Sequence, residues 1–341
     1  MSGSESEPPA SARVPAVHRF LAGEGEPRLD VLVATRLDLS RNHAATLIAA
    51  GHVRVDDRRE KASYRPRPGE TIVVEVPPPP GRDVTPEAIP LVIPYEDEDV
   101  LVVDKPAGMV VHPAPGNWSG TLVNALKGRG EPLSSGSEPG REGIVHRLDK
   151  ETSGLLLVAR SDRAHRALGA ALQARRIVRR YAAASWGHVP EDRLTVEKPI
   201  ARDPRDRKRM AIVSTGRPAR TDFTRLARFD SADLLLAHLY TGRTHQIRVH
   251  LASIGHPVLG DDTYGGGGGR RLVGLPPRRH FLHAAWLIFR HPVTGREIDI
   301  RSPLPEDLRR ALAAIAKGSL PELDAGDQDP LETFGFYDRH L

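Results

Sequence analysis

"HRLDKETSGLLLVAR", residues 146–160, sets one carboxylate between two cations and then runs into an unbroken apolar stretch. Asp149 stands between Arg147 and Lys150, and Thr152, Ser153 and Gly154 lead from it into the apolar run 155–159. A short continuous apolar run behind a turn predicts a strand buried on both faces. An acid at the mouth of such a strand has two readings. It is a structural ion pair with Arg147 or Lys150, or it is a carboxylate mounted for chemistry. In the second reading, neighbouring positive charge keeps the acid ionised, and a rigid strand end holds it still. An acid kept ionised acts as nucleophile or base, not as proton donor.

The chain around this stretch alternates short apolar segments with turns. "DVLVVDKPAGMVVHPAPG", residues 99–116, predicts a buried strand, a Pro-Gly turn and a second strand. "SGTLVNALKG", 119–128, predicts a short helix, and 128–142 is a polar loop. Beyond the opening stretch, Ser161 caps a helix running to about Arg176, with Ala164, Leu168, Ala171 and Leu172 inward and Arg175 and Arg176 suited to its C-terminal dipole. Strand-like segments follow at 179–187, 219–229, 232–242, 284–292 and 296–303. Strands outnumber helices without strict alternation, which predicts an α+β fold with a mixed sheet.

The N-terminal quarter has another texture. Residues 1–26 are rich in Ser, Glu, Pro and Gly and read as a disordered leader. Leu29, Leu32, Val33 and Leu37 then recur at helical spacing. Ser40 caps a second helix through Ala44, Leu47 and Ile48, which Gly51 ends; "HVRVDD" and "TIVVEV" read as strands. This gives a small α/β module over 27–76, basic through Arg36, Arg41, Arg54, Arg58, Arg59 and Lys61. "PPPPGR" opens a stiff linker, 77–88. A catalytic-sized domain spans 89–316, and the acidic tail 317–341 reads as peripheral.

The 341 residues contain no cysteine, which excludes disulfides, cysteine-ligated zinc and a thiol nucleophile. No apolar run approaches the roughly 18 residues of a membrane helix, so no membrane partner is expected. No secretory signal is visible, and a cytoplasmic protein fits. Net charge is +5 with arginine the dominant cation, which suits phosphate contact.

A second dense stretch is "LYTGRTHQIRVHLASIGHPVLGDDTYG", 239–265, holding Arg243, His245, Gln246, Arg248, His250 and His256. A metal site built from His245, His250 and His256 with Asp261 or Asp262 is one reading, although the spacing matches no usual zinc pattern. As strand or helix, the stretch also lets Arg248 reach inward to a carboxylate. In "RRYAAASWG", Tyr181 is either a core residue or, beside two arginines, a platform for a base.

Together these segments resemble a known family. "HRLDKETSGLLLVA" is similar to the signature of the RluA-type pseudouridine synthases, with "DKPAGMVVHP" before it and "RRYAAASWG" and "TGRTHQIRVHLASIGHPVLGD" after it in the family's order. The module at 28–76 resembles an S4 RNA-binding domain. The layout is similar to the large-subunit ribosomal RNA branch, the RluD- and RluC-like enzymes. The resemblance implies a mixed α+β catalytic domain with RNA in a central cleft. No metal or organic cofactor is implied, and the partner is RNA, 23S ribosomal RNA or the precursor of the large subunit. It implies that Asp149 is the essential aspartate, that Tyr181 packs on the target uracil, and that Arg248 pairs with Asp149. Arg147 would help hold the extruded nucleotide. Arg243, Arg36, Arg41 and Arg54 are further candidate RNA contacts, and a monomer is expected. The implied reaction breaks the ribose C1′–uracil N1 bond and rejoins the base through C5. An RNA-binding protein without turnover and a metal-dependent nuclease are the competing readings.

Overall fold

The computed structural model describes residues 16–37, 39, 41–76, 84–114, 117–135, 140–265, 274–317 and 329–341. The chain divides into two compact units, Met1–Arg82 and Asp83–Leu341.

In the first unit, strand β1 (Ala16–Leu21) precedes helices α1 (Leu29–Arg36) and α2 (Arg41–Ala49), followed by β2 (Val53–Val55) and β3 (Thr71–Val76). The sheet is antiparallel, in the order β1-β3-β2. Leu29, Leu32 and Val33 form the inward stripe of α1 and meet Ala44, Leu47 and Ile48 of α2; Val53, Val55, Ile72 and Val74 close the core from the sheet. Gly51 ends α2 at φ +81°, a left-handed backbone that favours glycine.

The expected leader, 1–26, is corrected here. Residues 16–21 form a strand paired with β3 from Ala16↔Val76 to Leu21↔Thr71. It is an exposed edge, with Val17 62% and Leu21 63% exposed. Its sequence therefore carries none of the in–out alternation by which strands are read. Residues 1–15, Ser40, the "PPPPGR" stretch and the glycine-rich run from 266 lie outside the described residues.

The second unit runs through β4 (Val92–Glu96), β5 (Val100–Lys105), α3 (Leu122–Gly128), β6 (Ser153–Ala159), α4 (Asp162–Gln173), β7 (Val178–Trp186), β8 (Arg193–Glu197), β9 (Ile200–Arg202) and β10 (Met210–Ile212). It continues with β11 (Arg220–Arg228), β12 (Ala232–Leu239), α5 (Gln246–Ala252), β13 (Leu282–Arg290), β14 (Glu297–Arg301), α6 (Glu306–Ile315) and α7 (Pro330–Thr333). The main sheet has the order β4-β5-β6-β13-β7-β12-β11-β8, with β14 on β13. β13 and β6 are parallel over His283↔Ser153 and Ala284↔Gly154, and the other pairings are antiparallel. The sheet is mixed and the fold α+β, as the segment pattern predicts.

β6 is buried at every position. Leu156 and Val158 enter one core and Leu155, Leu157 and Ala159 the other. The uninterrupted apolar run thus serves two faces, each buried leucine contributing roughly 1.5–3 kcal/mol. α4 covers one face with Ala164 and Leu168. The same alternation runs through β7, whose Tyr181 and Ala183 face one core while Ala182 and Ala184 face another.

Four boundaries differ from expectation. The second strand after the Pro-Gly turn does not form, because the Val110 and Val111 carbonyls accept from Leu122 and Val123 N–H at the start of α3. The linker does not extend to 88. Val84 is 6% exposed in the core, Glu87 N–H donates to the Asn124 carbonyl, and the Glu87 carboxylate accepts from Gly120 N–H. Helix α4 stops at Gln173, and Arg175 follows at φ +58°. The tail is not peripheral throughout: Leu331 and Phe336 are fully buried against α6 residues Leu308 and Leu312. Averaging the acidic residues with these aromatics hides their burial in the sequence.

Candidate active site

The two dense sequence stretches converge. Asp149 lies in the loop that enters β6, and Arg248 projects from α5. Arg248 Nη1 donates to Asp149 Oδ2 at 3.1 Å. Its Nε and Nη2 donate in parallel to Asp261 Oδ2 and Oδ1 at 2.6 and 2.9 Å. Asp261 takes the bidentate fork, the geometry that fixes a guanidinium best, and Asp149 receives the remaining arm. Asp149 Oδ1 is left without a hydrogen-bond donor among the described residues. The expected structural pairing of Asp149 with Arg147 or Lys150 does not occur; Lys150 Nζ reaches Asn117 Oδ1 at 3.5 Å instead.

Burial pushes the Asp149 carboxyl up. Positive charge on His245, Arg248 and His280 at the low pH where the carboxyl titrates, with the hydrogen bond from Arg248, more than offsets this and holds it below the ordinary carboxylate range. His280 is itself pushed down to about 3, chiefly by burial, and burial also lowers His245. Both rings are therefore neutral near pH 7, and Arg248 carries the permanent charge. Burial opposes the charge on Arg248, but its bonds to Asp261 and Asp149 raise its pKa overall.

Two clamps hold the Asp149 loop. Lys105, fully buried, donates from Nζ to the carbonyls of Pro106, Met109 and Lys150 at 2.8, 3.0 and 3.1 Å. All three ammonium protons are used, and the "DKPAG" turn is fastened to the residue after Asp149. On the other side, Arg279 Nη2 donates to Ser153 Oγ at 2.8 Å and Nη1 to the Glu151 carbonyl at 2.5 Å, while Nε pairs with Asp307 at 2.7 Å. Thr152 Oγ1 and His280 Nε2 are 2.9 Å apart.

Tyr181, on β7, is 4% exposed. It lines a pocket with Asp149, Arg147, Arg243, Arg248, Leu239 and Leu282. Burial pushes its phenol up, so it presents a neutral ring. His245 adopts a left-handed backbone, φ 57°. Its Nδ1 is 2.8 Å from Tyr264 Oη, which also accepts from Met210 N–H. Tyr264 can donate its one proton to Nδ1, and in that tautomer His245 carries its own proton on Nε2. That Nε2 is 4.0 Å from Asp149 Oδ2.

Asp149, Tyr181, Arg248, Arg147 and Arg243 are thus brought together. Arg36, Arg41 and Arg54 belong to the other unit, and two of them are partly spoken for. Arg36 pairs with Glu26 at 3.3 Å and Arg41 with Asp30 at 2.9 Å; Arg54 is exposed on β2 between buried valines. The metal reading disperses. His250 Nδ1 meets Thr221 Oγ1 and its Nε2 the Lys198 carbonyl, while His256 Nδ1 meets the Trp186 carbonyl. Among the described residues no group of His, Asp or Glu could hold a metal ion. Sequence reasoning missed Asp261 as the partner of Arg248, and with it Lys105, Arg279 and His280. A lone lysine in "DKPAG" gave a signal; the others sit in loops without pattern.

The family described as RNA pseudouridylate synthase matches residues 99–253, and the S4 domain matches residues 27–72. An uncharacterized RNA pseudouridine synthase of Bacillus subtilis is 43% identical over 286 residues, covering 84% of this chain and 93% of that protein. A ribosomal large subunit pseudouridine synthase D of Xanthomonas campestris is 41% identical over 329 residues, covering 94% and 97%. Among solved structures, human RNA pseudouridylate synthase domain containing 1 matches with a TM-score of 0.53 at 30% identity, over 72% of this chain and 95% of that one.

Proposed function

Because the chain belongs to the RNA pseudouridylate synthase family, we propose that it isomerises specific uridines of large-subunit ribosomal RNA, with Asp149 as the catalytic carboxylate. The enzyme is an isomerase: it breaks the C1′–N1 bond, and the freed uracil turns and rejoins ribose through C5. Asp149 acts at the ribose, by attack on C1′ or by removing the C2′ proton to give a glycal. Either route begins with an ionised carboxylate that has a lone pair to use. The observation that carries the reading is Asp149 itself, ionised and bonded through Oδ2 to a guanidinium that Asp261 fixes, with no donor on Oδ1 among the described residues.

The base must leave its stack to reach this pocket. Tyr181 is the platform that receives it, and such stacking offsets about 1–3 kcal/mol of the unstacking cost. Arg147 and Arg243 hold the extruded strand, and Arg36, Arg41 and Arg54 meet phosphates through the S4 unit. Support for this partner comes from the relatives' names and from the S4 match. The work is done on ribosomal RNA in the cytoplasm. The enzyme acts as a monomer on this reading.

Asp149→Asn tests the reading. Asparagine keeps the shape but is neither nucleophile nor base, so the variant should fold and bind RNA while turnover falls by more than about 100-fold. Mapping pseudouridines in ribosomal RNA from cells with and without the protein identifies the target. Near-normal product from Asp149→Asn would remove Asp149 from the mechanism.

A further inference from the structure

Four arginines are buried among the described residues: Arg179, Arg180, Arg248 and Arg279. Three are held by other groups of the chain. Arg248 and Arg279 bond to carboxylates, and Arg180 donates to the Asp338 and Leu341 carbonyls at 2.6 and 2.7 Å while resting 4.5 Å from the Trp286 ring. The Nε of both Arg179 and Arg180 is buried without a partner, but only Arg179, 8% exposed on β7, makes no side-chain hydrogen bond or ion pair at all among the described residues. A buried cation without a counter-charge is costly, and native proteins rarely leave buried donors unmet.

A second donor faces the same problem. His146 Nε2 accepts from Leu157 N–H at 3.0 Å, so the ring proton sits on Nδ1. That Nδ1 is buried without a partner. Burial, and then the charge of Arg179, push His146 down to about 3, so it stays a neutral donor.

Arg179 and His146 line one cavity of about 530 Å³, with Arg141, Arg147, Arg175 and Arg243 around them and no carboxylate among the described lining residues. Arg147, Arg179 and Arg243 line the Asp149 pocket as well, so the two spaces share a wall. Buried donors without acceptors, in a positive cavity, define a ligand that is anionic and rich in acceptor oxygens. Beside a pocket for a uridine, the next group along an RNA chain is a phosphodiester. Resting on the reading of the Asp149 pocket as the uridine site, we propose that Arg179 and His146 form a phosphate subsite. The guanidinium and the imidazole Nδ1–H hold the non-bridging oxygens of a phosphodiester next to the flipped nucleotide. Gripping the backbone one step from the target fixes the ribose against Asp149 while Tyr181 receives the base.

The subsite makes two demands that a structural arginine would not. Removing the charge should leave the free protein as stable or more stable, and the lost affinity should belong to one phosphate. The experiment compares wild type, Arg179→Met and Arg179→Lys on a short RNA carrying the mapped uridine. Companion RNAs replace each flanking phosphate in turn by a neutral methylphosphonate. Affinity, pseudouridine formation and melting temperature are measured for each pair. Arg179→Met should bind native RNA about 10- to 100-fold more weakly, and Arg179→Lys should recover part of the loss, keeping charge without the fork. On one methylphosphonate RNA the difference between Arg179→Met and wild type should vanish, and Arg179→Met should melt no lower than wild type. An equal loss on every RNA, or a lower melting temperature with unchanged affinity, overturns the subsite. Coupling to one phosphate without pseudouridine formation by wild type would keep the subsite and remove the isomerase reading.

Discussion

The two units use positive charge in opposite ways. In the first, arginines sit at the rim: Arg28 and Arg41 share Asp30, and Arg36 leans on Glu26, with the arginine side chains 41%, 59% and 52% exposed. In the second, the decisive cations are inside. Lys105 is fully buried, Arg279 is 2% exposed and Arg248 6%. An exposed cation contributes a screened, roughly additive share of RNA affinity, and its exact position matters little. A buried cation that the chain itself pairs, as it does Lys105, Arg248 and Arg279, has a single geometry and a fixed partner. It sets where a carboxylate points and whether that carboxylate is ionised. On the proposed reading, the exposed arginines of the first unit contribute grip alone, while in the second unit grip and chemistry meet around Asp149.

The sharpest way to break this contrast is Arg248→Met. It strips Asp149 of its bond and leaves Asp261 buried without a counter-charge. Turnover should fall more than about 100-fold, stability should drop by about 3–5 kcal/mol, and RNA affinity should change little. Equilibrium unfolding and single-turnover rates check this; a binding loss proportional to the rate loss would move Arg248 to the grip side.

A broader effect follows from three buried histidines of the second unit. Burial pushes His146 and His280 down to about 3 and His283 to about 4. Their folded values lie below the ordinary unfolded value near 6.5, so between those limits the unfolded chain binds more protons. Stability is thus full above about pH 6.5 and is lost as pH falls toward 3–4. Three protons set a slope of up to about 4 kcal/mol per pH unit near pH 5. Denaturant titrations across pH 4–7 measure it, and a chain lacking residues 1–82 should keep the slope, since all three rings lie beyond that boundary.

The smallest effects belong to the first unit. Arg54→Gln should lower the slope of log affinity against log salt by roughly 0.7 if the contact is to single-stranded RNA. Arg36→Gln should lower it less, because Glu26 already neutralises part of that charge. A salt titration of RNA binding ranks the two; equal or reversed slopes would show that the Glu26 pair opens on binding.

Much of this was legible in the sequence because burial leaves patterns. The β6 run announced a strand covered on both faces, and Asp149 stood out by its place before it. The helical stripe of Leu29, Leu32 and Val33 and the N-cap at Ser161 were equally direct. What escaped was structure without periodicity. β1 is an exposed edge held by backbone pairing, which any residues can make. In the tail, buried Leu331 and Phe336, with partly buried Phe334 and Tyr337 beside them, lie behind an acidic approach. Asp261 and Arg279 act across 13 and 126 residues of chain, on Arg248 and Ser153 respectively, and only folding makes them neighbours. Arg179 carried no signal of its own beside Arg180, although one faces the cavity and the other the C-terminal residues.

The join between β6 and β13 is two residue pairs long, and Gly154 is pressed so close to Ala284 that a Cβ would fall 2.4 Å from its carbonyl oxygen. β4, β5 and β6 lie on one side of that join, and β7, β8, β11 and β12 on the other. Asp149 belongs to the first leaf and Tyr181 to the second, like marks on facing pages of a book sewn with two stitches. The bond from Arg248 to Asp149 crosses the spine. Its two ends are mounted on different leaves, so any shear of one leaf against the other would have to lengthen or turn that bond.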